Sequence, residues 1–346
     1  MKVVVGMSGG VDSSVAAILL KEQGYEVIGI TFIFTEDFDP TDAINMSKKL
    51  NIEHHIIEYK DLFKNKVINK FINDYKKGVT PNPCILCNKE VKFNFLYQQM
   101  LDLNCDYIAT GHYAKIINGN LFKSKDLKKD QTYFLAQLAK EQLNRLILPL
   151  EGITKDEVRE IARKYDFELA DKKDSTDVCF ITTNFKEYIN NQLKNTHGSV
   201  IDIKTGKKIG EHTGLTQYTI GQRKGLNLGG NDGRIYVVGK DLNKNVLYVA
   251  FGDENEYLVS TSAIIEQVNW ISDQKPVKCL AKFRYRQPDN DVKLEYLENG
   301  NILVKYPQGI KAVTPGQACV FYLGEECLGG GIIKEVQKNN EKLWYL

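Results

Sequence analysis

The sequence predicts an α/β parallel-sheet domain at the N-terminus, then a mixed central segment, then a C-terminal antiparallel β-barrel. Three observations carry this reading. The first half alternates short apolar runs with amphipathic helical patterns. Helical periodicity fades after about residue 198. From about 275 to 335, β-branched and aromatic runs are punctuated by Gly and Asn-Gly turns. Alternating strand and helix signals specify a parallel sheet covered on both faces. A run of short strands with turn signals specifies a sandwich or barrel. The expected divisions are 1–197, 198–265 and 266–346.

Strand-like runs fall near 2–6, 26–33, 53–58 and 106–110, and helical patterns near 13–23, 41–50, 61–76 and 88–103. Gly24 after Leu20-Lys21-Glu22-Gln23 is a helix stop. Asn118-Gly119 between two extended runs predicts a hairpin. Thr154-Lys155-Asp156-Glu157 is a capping box, and Val158, Ile161, Ala162 and Tyr165 follow at helical spacing. Around 280–322, Leu280 to Tyr285, Lys293 to Tyr296, Ile302 to Val304 and Ala318 to Tyr322 read as a meander turning at Asn299-Gly300.

Composition narrows the class. The 346 residues are 42% hydrophobic and 26% charged, ordinary for a globular protein of two or three domains. No apolar run approaches the roughly 18 to 20 residues of a membrane helix, and the first one belongs to a strand. A cytoplasmic location is the expectation. Seven cysteines, an odd number in a long chain, fit reduced thiols better than a disulfide framework. A net charge of +2 does not itself announce a nucleic-acid partner. Local clusters do: Lys123, Lys125, Lys128 and Lys129; Arg223 and Lys224; and Lys275, Lys278, Lys282, Arg284 and Arg286, two of the three beside aromatic residues.

Gly6-Met7-Ser8-Gly9-Gly10-Val11-Asp12-Ser13 follows the apolar run Val3-Val4-Val5 and precedes the helical run from Val15. A strand entering a Gly-rich turn and then a helix converges backbone N–H groups and the helix dipole on one point, which suits phosphate. No Lys follows the glycines, so this is not a Walker loop. It resembles the S-G-G-x-D-S pyrophosphate loop (PP-loop) of ATP pyrophosphatases, whose sheet is of the adenine nucleotide alpha hydrolase-like type and which adenylate a substrate.

Thr80-Pro81-Asn82-Pro83-Cys84-Ile85-Leu86-Cys87 places two prolines before a cysteine near a helix start. The helix dipole and nearby lysines predict a lowered Cys87 pKa and a partly formed thiolate. Lys172-Lys173-Asp174-Ser175-Thr176-Asp177-Val178-Cys179 sets another cysteine after a polar, lysine-rich loop. Cys105, Cys279, Cys319 and Cys327 read as small core residues, whereas packing explains Cys84, Cys87 and Cys179 poorly.

These motifs, with A-T-G-H-Y, K-D-Q-x-Y-F-L, L-x-Q-Y-T-I-G-Q-R-K-G-L, R-Y-R-Q and V-T-P-G-Q in the same order, closely resemble the tRNA-specific 2-thiouridylase family over nearly the whole chain. The resemblance implies that Gly6, Met7, Ser8, Gly9, Gly10, Val11, Asp12 and Ser13 bind ATP, completed by Phe32 and Gly111. ATP would adenylate the 2-oxygen of the wobble uridine (position 34) in tRNA of the Lys, Glu and Gln type. Cys179 would carry a persulfide sulfur from a sulfur-relay protein or cysteine desulfurase, and Cys87 would be its partner thiol, closing a disulfide or releasing sulfide. Asn82, Pro83 and Cys84 would touch the flipped target base. His112, Lys129, Asp130, Gln131, Arg284, Tyr285 and Gln317 would contact tRNA. Asp12 is the expected Mg2+ ligand.

Two departures stand out. Well-known members place an aspartate, assigned as general base, where this chain has Cys84. The acidic stretch after Phe32 is also shorter here and has no Trp. Cys84 opens an alternative: with Cys87 and Cys179 it could ligate a [4Fe-4S] cluster holding the sulfide. A small-molecule ATP pyrophosphatase would explain the glycine loop but neither the cysteines nor the basic β-rich half. The 172–179 segment is the candidate for ordering on tRNA.

Overall fold

In the computed structural model, residues 1–165, 178–181, 183–226, 228 and 233–346 are described. The 172–177 stretch lies outside them. The N-terminal sheet consists of β1 (Lys2–Gly6), β2 (Glu26–Ile33), β3 (Glu53–Glu58), β4 (Tyr107–Ala109) and, after the hairpin below, Leu146–Ile147. All its pairings are parallel, as the near-continuous apolar β1 and β2 require of strands buried on both faces. Its order, β3-β2-β1-β4 and then Leu146–Ile147, reverses direction between β1 and β4. Ligands bind at such a switch point, beyond the strands' carboxyl ends.

The helices α1 (Val11–Glu22) and α2 (Thr41–Leu50) follow β1 and β2. α3 (Lys60–Phe63) passes through a π-helical turn at Lys64–Ile68 into α4 (Asn69–Lys76). α5 (Pro83–Cys87) likewise passes through a π turn at Asn88–Lys92 into α6 (Phe93–Asp102).

The hairpin expected at Asn118-Gly119 is present: β5 (Lys115–Ile117) pairs with β6 (Asn120–Phe122). It also leaves its own layer, because β6 pairs antiparallel with a strand of the C-terminal barrel, Leu121 opposite Cys327. A central sheet joins Gly198–Asp202, Lys208–His212, Ile235–Asp241 and Val246–Phe251. The barrel closes because Val259–Trp270 pairs with both Ile302–Lys311 and Glu326–Lys338, while Lys278–Lys282, Asn290–Tyr296 and Ala318–Leu323 complete the ring. Cys105, Cys279, Cys319 and Cys327 are buried. Among the described residues, no helix is long and apolar enough to cross a membrane.

Candidate active site

The glycine loop leaves β1 at the switch point. Met7 is tied to β2 twice, by its N–H to the Ile30 carbonyl (2.7 Å) and by its carbonyl from the Thr31 hydroxyl (2.7 Å). The loop then closes on itself: the Ser8 N–H donates to Ser13 Oγ (3.2 Å), and the Ser13 and Ser14 hydroxyls donate to the Gly10 carbonyl (3.1 and 3.0 Å). Gly9 has φ +74°, which glycine adopts without strain. Gly10 caps α1 with no side-chain cap, leaving the first N–H groups of a twelve-residue helix for an anion.

Gly111, just after β4, faces this loop across the switch point. A Cβ there would lie 2.6 Å from Asp12 C and 2.7 Å from Ser13 N. Only glycine permits that approach, so both sides of the crevice are set by backbone. Phe32, at the carboxyl end of β2, is nearly buried and rests on Phe34 (5.7 Å) and Tyr59 (5.6 Å).

Asp12 is engaged already. The Lys155 ammonium donates to both of its oxygens (2.7 and 2.8 Å), and the Tyr113 hydroxyl donates to Oδ1 (2.8 Å). Lys155 opens α9 (Lys155–Lys164), which comes after the short α7 (Thr132–Leu135) and α8 (Lys140–Leu143). Sequence reasoning recognised its capping box and missed the side chain. The signal was there: a cation in the first turn opposes the helix dipole and so asks for a tertiary partner.

The cysteines are positioned by capping and by aromatic packing. Asn82 Oδ1 accepts the N–H groups of Cys84 (3.2 Å) and Ile85 (3.3 Å), starting α5 with Pro83 in its first turn. Phe180 lies edge-on to Phe63 (5.8 Å) and Phe71 (5.3 Å), which fastens the neighbouring Cys179 over the 60–76 helix. Cys84, Cys87 and Cys179 are then close enough to perturb one another electrostatically, and Lys92 acts on all three. All are free thiols, with Cys84 and Cys179 exposed.

The expected Cys87 thiolate is corrected by the structure. Cys87 is buried with Phe63, Val67, Phe71 and Val91, and burial pushes its thiol up to about 11. Lys92 and a backbone hydrogen bond from it pull the other way and lose, because taking a thiolate out of water outweighs a helix terminus. Desolvation raises Cys84 and Cys179 as well. Among the described residues, no group of three His, Cys, Asp or Glu side chains is arranged to hold a metal ion. The three thiols therefore do not form the ligand set that a cluster requires.

His112 links the two halves of the site. Its Nδ1 bonds the Thr110 hydroxyl (2.8 Å), its ring lies on Phe93 (5.6 Å), and burial with Lys92 nearby lowers its pKa to about 3. It is a neutral imidazole. Of the other expected RNA contacts, Asp130 is buried and accepts from the Ser124 N–H (3.1 Å) and the Thr132 hydroxyl (2.6 Å). Gln131 accepts the Tyr113 N–H (2.9 Å). Arg284 donates to the Ile220 carbonyl (2.6 Å) and the Thr314 hydroxyl (2.7 Å), and Gln317 to the Thr80 carbonyl (2.7 Å). Tyr285 packs on Phe134 (4.4 Å) and is part-exposed, as is Lys129. In the basic loop, Lys123 pairs with Asp289 and Lys125 with Glu157, which leaves less positive charge than the sequence suggests.

A parallel sheet with a glycine loop of this sequence at its switch point marks the chain as a PP-loop ATP-using enzyme. Residues 1–183 match the tRNA methyl transferase HUP domain family, 186–251 the tRNA methyl transferase PRC-barrel domain and 260–333 the aminomethyltransferase beta-barrel domain. The tRNA-specific 2-thiouridylase MnmA 2 of Geobacillus kaustophilus is 47% identical over 366 residues, covering 100% of this chain and 98% of its own. The tRNA-specific 2-thiouridylase MnmA of Mycoplasmopsis synoviae is 46% identical over 367 residues, covering 99% and 98%. A solved 4-thiouridine synthetase–RNA complex with bound ATP matches 56% of this chain and 50% of its own at 19% identity and a TM-score of 0.38. The chain belongs to the tRNA-specific 2-thiouridylase family.

Proposed function

We propose that this protein uses ATP to replace the 2-oxygen of the wobble uridine of tRNA with sulfur. The observation that carries the reading is the continuity from loop to thiols. Gly111 abuts the glycine loop, His112 follows it, and Lys92 acts electrostatically on His112 and on Cys84, Cys87 and Cys179. A base held beside His112 would meet the nucleotide on one side and sulfur on the other.

In the reaction, the uridine 2-oxygen attacks the α-phosphorus of ATP, and pyrophosphate leaves toward the α1 N-terminus. The terminal sulfur of a Cys179 persulfide forms the C2–S bond, and AMP departs with the oxygen. Cys87, deprotonated, then attacks the Cys179 sulfur, giving a Cys87–Cys179 disulfide and the thiolated base; an external dithiol reduces that disulfide. Burial keeps Cys87 protonated at rest, which slows its oxidation, and its proton must pass to solvent before the thiolate can attack Cys179. Neutral His112 serves as a hydrogen-bonding wall and not as a cation.

Magnesium would supply charge neutralisation on the pyrophosphate. Asp12 is a hard oxygen donor suited to it, and the Lys155 ammonium on both of its oxygens would compete with the ion there. With no metal-holding group of His, Cys, Asp or Glu side chains among the described residues, the three thiols give no support to a [4Fe-4S] cluster.

The test is purified protein with ATP, Mg2+, a persulfide donor and tRNA, read as 2-thiouridine by mass spectrometry of digested tRNA. C87S and C179S each abolish product while pyrophosphate release persists. Product formation by C179S at the wild-type rate, or stoichiometric iron and sulfide in active protein purified without oxygen, overturns the cysteine-pair route. Failure of the wild type on every tRNA overturns the function.

A further inference from the structure

The segment leading into Cys84 is capped from within by Asn82, but upstream of that cap it has little of its own to hold it in place. Pro81 and Pro83 have no N–H, so the 80–83 stretch has only two backbone donors, and residues 80–82 ahead of α5 have no regular structure of their own. What holds it comes from the far end of the chain. The Thr80 N–H donates to the Pro315 carbonyl (3.1 Å), and the Gln317 side-chain amide donates to the carbonyls of Thr80 (2.7 Å) and Pro81 (3.4 Å). Gly316 lies between them with φ +88°, and a Cβ there would fall 3.0 Å from both Thr80 N and Thr80 O.

The 314–317 turn is itself anchored. The Gly316 N–H donates to the Ile333 carbonyl (2.9 Å), and the Ile333 N–H returns to the Gln317 carbonyl (2.8 Å), tying the turn to the barrel wall. Arg284 braces it from below, through Thr314 Oγ1 and the Ile220 carbonyl.

We infer that Gln317 and Gly316 are positioning residues: the barrel turn sets where Asn82, Pro83 and Cys84 meet the target base, so the barrel aligns the chemistry of the N-terminal domain. This rests on the function proposed above and deepens it. Gln317, which the family resemblance implies contacts tRNA, acts here through the 80–83 segment, with its amide donating to that backbone.

The two roles separate experimentally. Gln317→Met keeps the length and removes the donors; Gln317→Lys restores a donor to the same carbonyls; Gly316→Ala crowds Thr80 directly. Hydrogen exchange without substrate is expected to speed up about tenfold at 80–86 in Gln317→Met and Gly316→Ala, with the 318–336 barrel amides unchanged, and to return toward wild type in Gln317→Lys. Thiolation kcat falls by about tenfold or more in the first two, with KM for tRNA within about threefold. Unaltered exchange at 80–86 overturns the inference, as does a loss in Gln317→Met confined to KM. Because exchange is read on substrate-free protein, an inactive wild type would defeat the functional proposal while the clamp is still tested.

Discussion

Gly111→Ala probes the crevice most directly. The added methyl would sit 2.6 Å from Asp12 C, 2.7 Å from Ser13 N and 2.8 Å from Asp12 O, where ordinary contact begins at 3.4 Å. All three are backbone atoms, so no side chain can turn aside. The loop or the end of β4 must move by about 0.8 Å, the difference between 3.4 and 2.6. The loop is closed by its own hydroxyl bonds and tied to β2, so it shifts as a unit. A misplacement near 1 Å costs on the order of a hundredfold in rate. That corresponds to roughly 2.7 kcal/mol of transition-state stabilisation, beside about 1–3 kcal/mol of overpacking in fold stability. The assay is tRNA-dependent pyrophosphate release against ATP concentration, with urea unfolding run in parallel. A kcat/KM for ATP within threefold of wild type, in a variant that folds, refutes the reasoning.

Three further outcomes follow from the geometry. Lys155→Met strips the cation from Asp12; that carboxylate is a third exposed (34%), keeps the Tyr113 hydroxyl and sits at a helix N-terminus, so the cost is roughly 1–2 kcal/mol and not the 3–5 of a fully buried pair. Urea unfolding within about 0.3 kcal/mol of wild type would show that the pair does not fasten α9 to α1. With its pKa pushed up to about 11, Cys87 is roughly one part in 3,000 thiolate at pH 7.5. Its alkylation by iodoacetamide, mapped by peptide mass spectrometry, should rise about tenfold per pH unit, and a plateau below pH 9 contradicts the burial argument. His112 drops from 6.5 to about 3 on folding, so between those values the unfolded chain holds the extra proton and stability rises with pH, by at most about 1.4 kcal/mol per unit. Its imidazole proton shifts should stay constant from pH 5 to 8; a midpoint near 6.5 rules out the desolvated setting.

What was legible in the sequence was local. The glycine loop, the Thr154 capping box and the Asn118-Gly119 turn all formed as read, because each depends on residues within a few positions of one another. The meander could be read as a barrel because alternating burial is a period-two signal. The Cys87 expectation failed for a reason no local pattern holds. The helix start and the lysine were visible, but the Phe63, Phe71 and Phe180 side chains that exclude water come from two other segments.

The sequence by itself carried the local signals: a glycine loop between a strand and a helix, cysteines in polar turn segments, and basic residues in a β-rich half. Tertiary structure alone decided how those parts are held and charged. Lys155 arrives at Asp12 from 143 positions away, and Gln317 reaches Thr80 from 237. Desolvation and long-range hydrogen bonding depend on which surfaces meet, and that is settled only when the whole chain has packed.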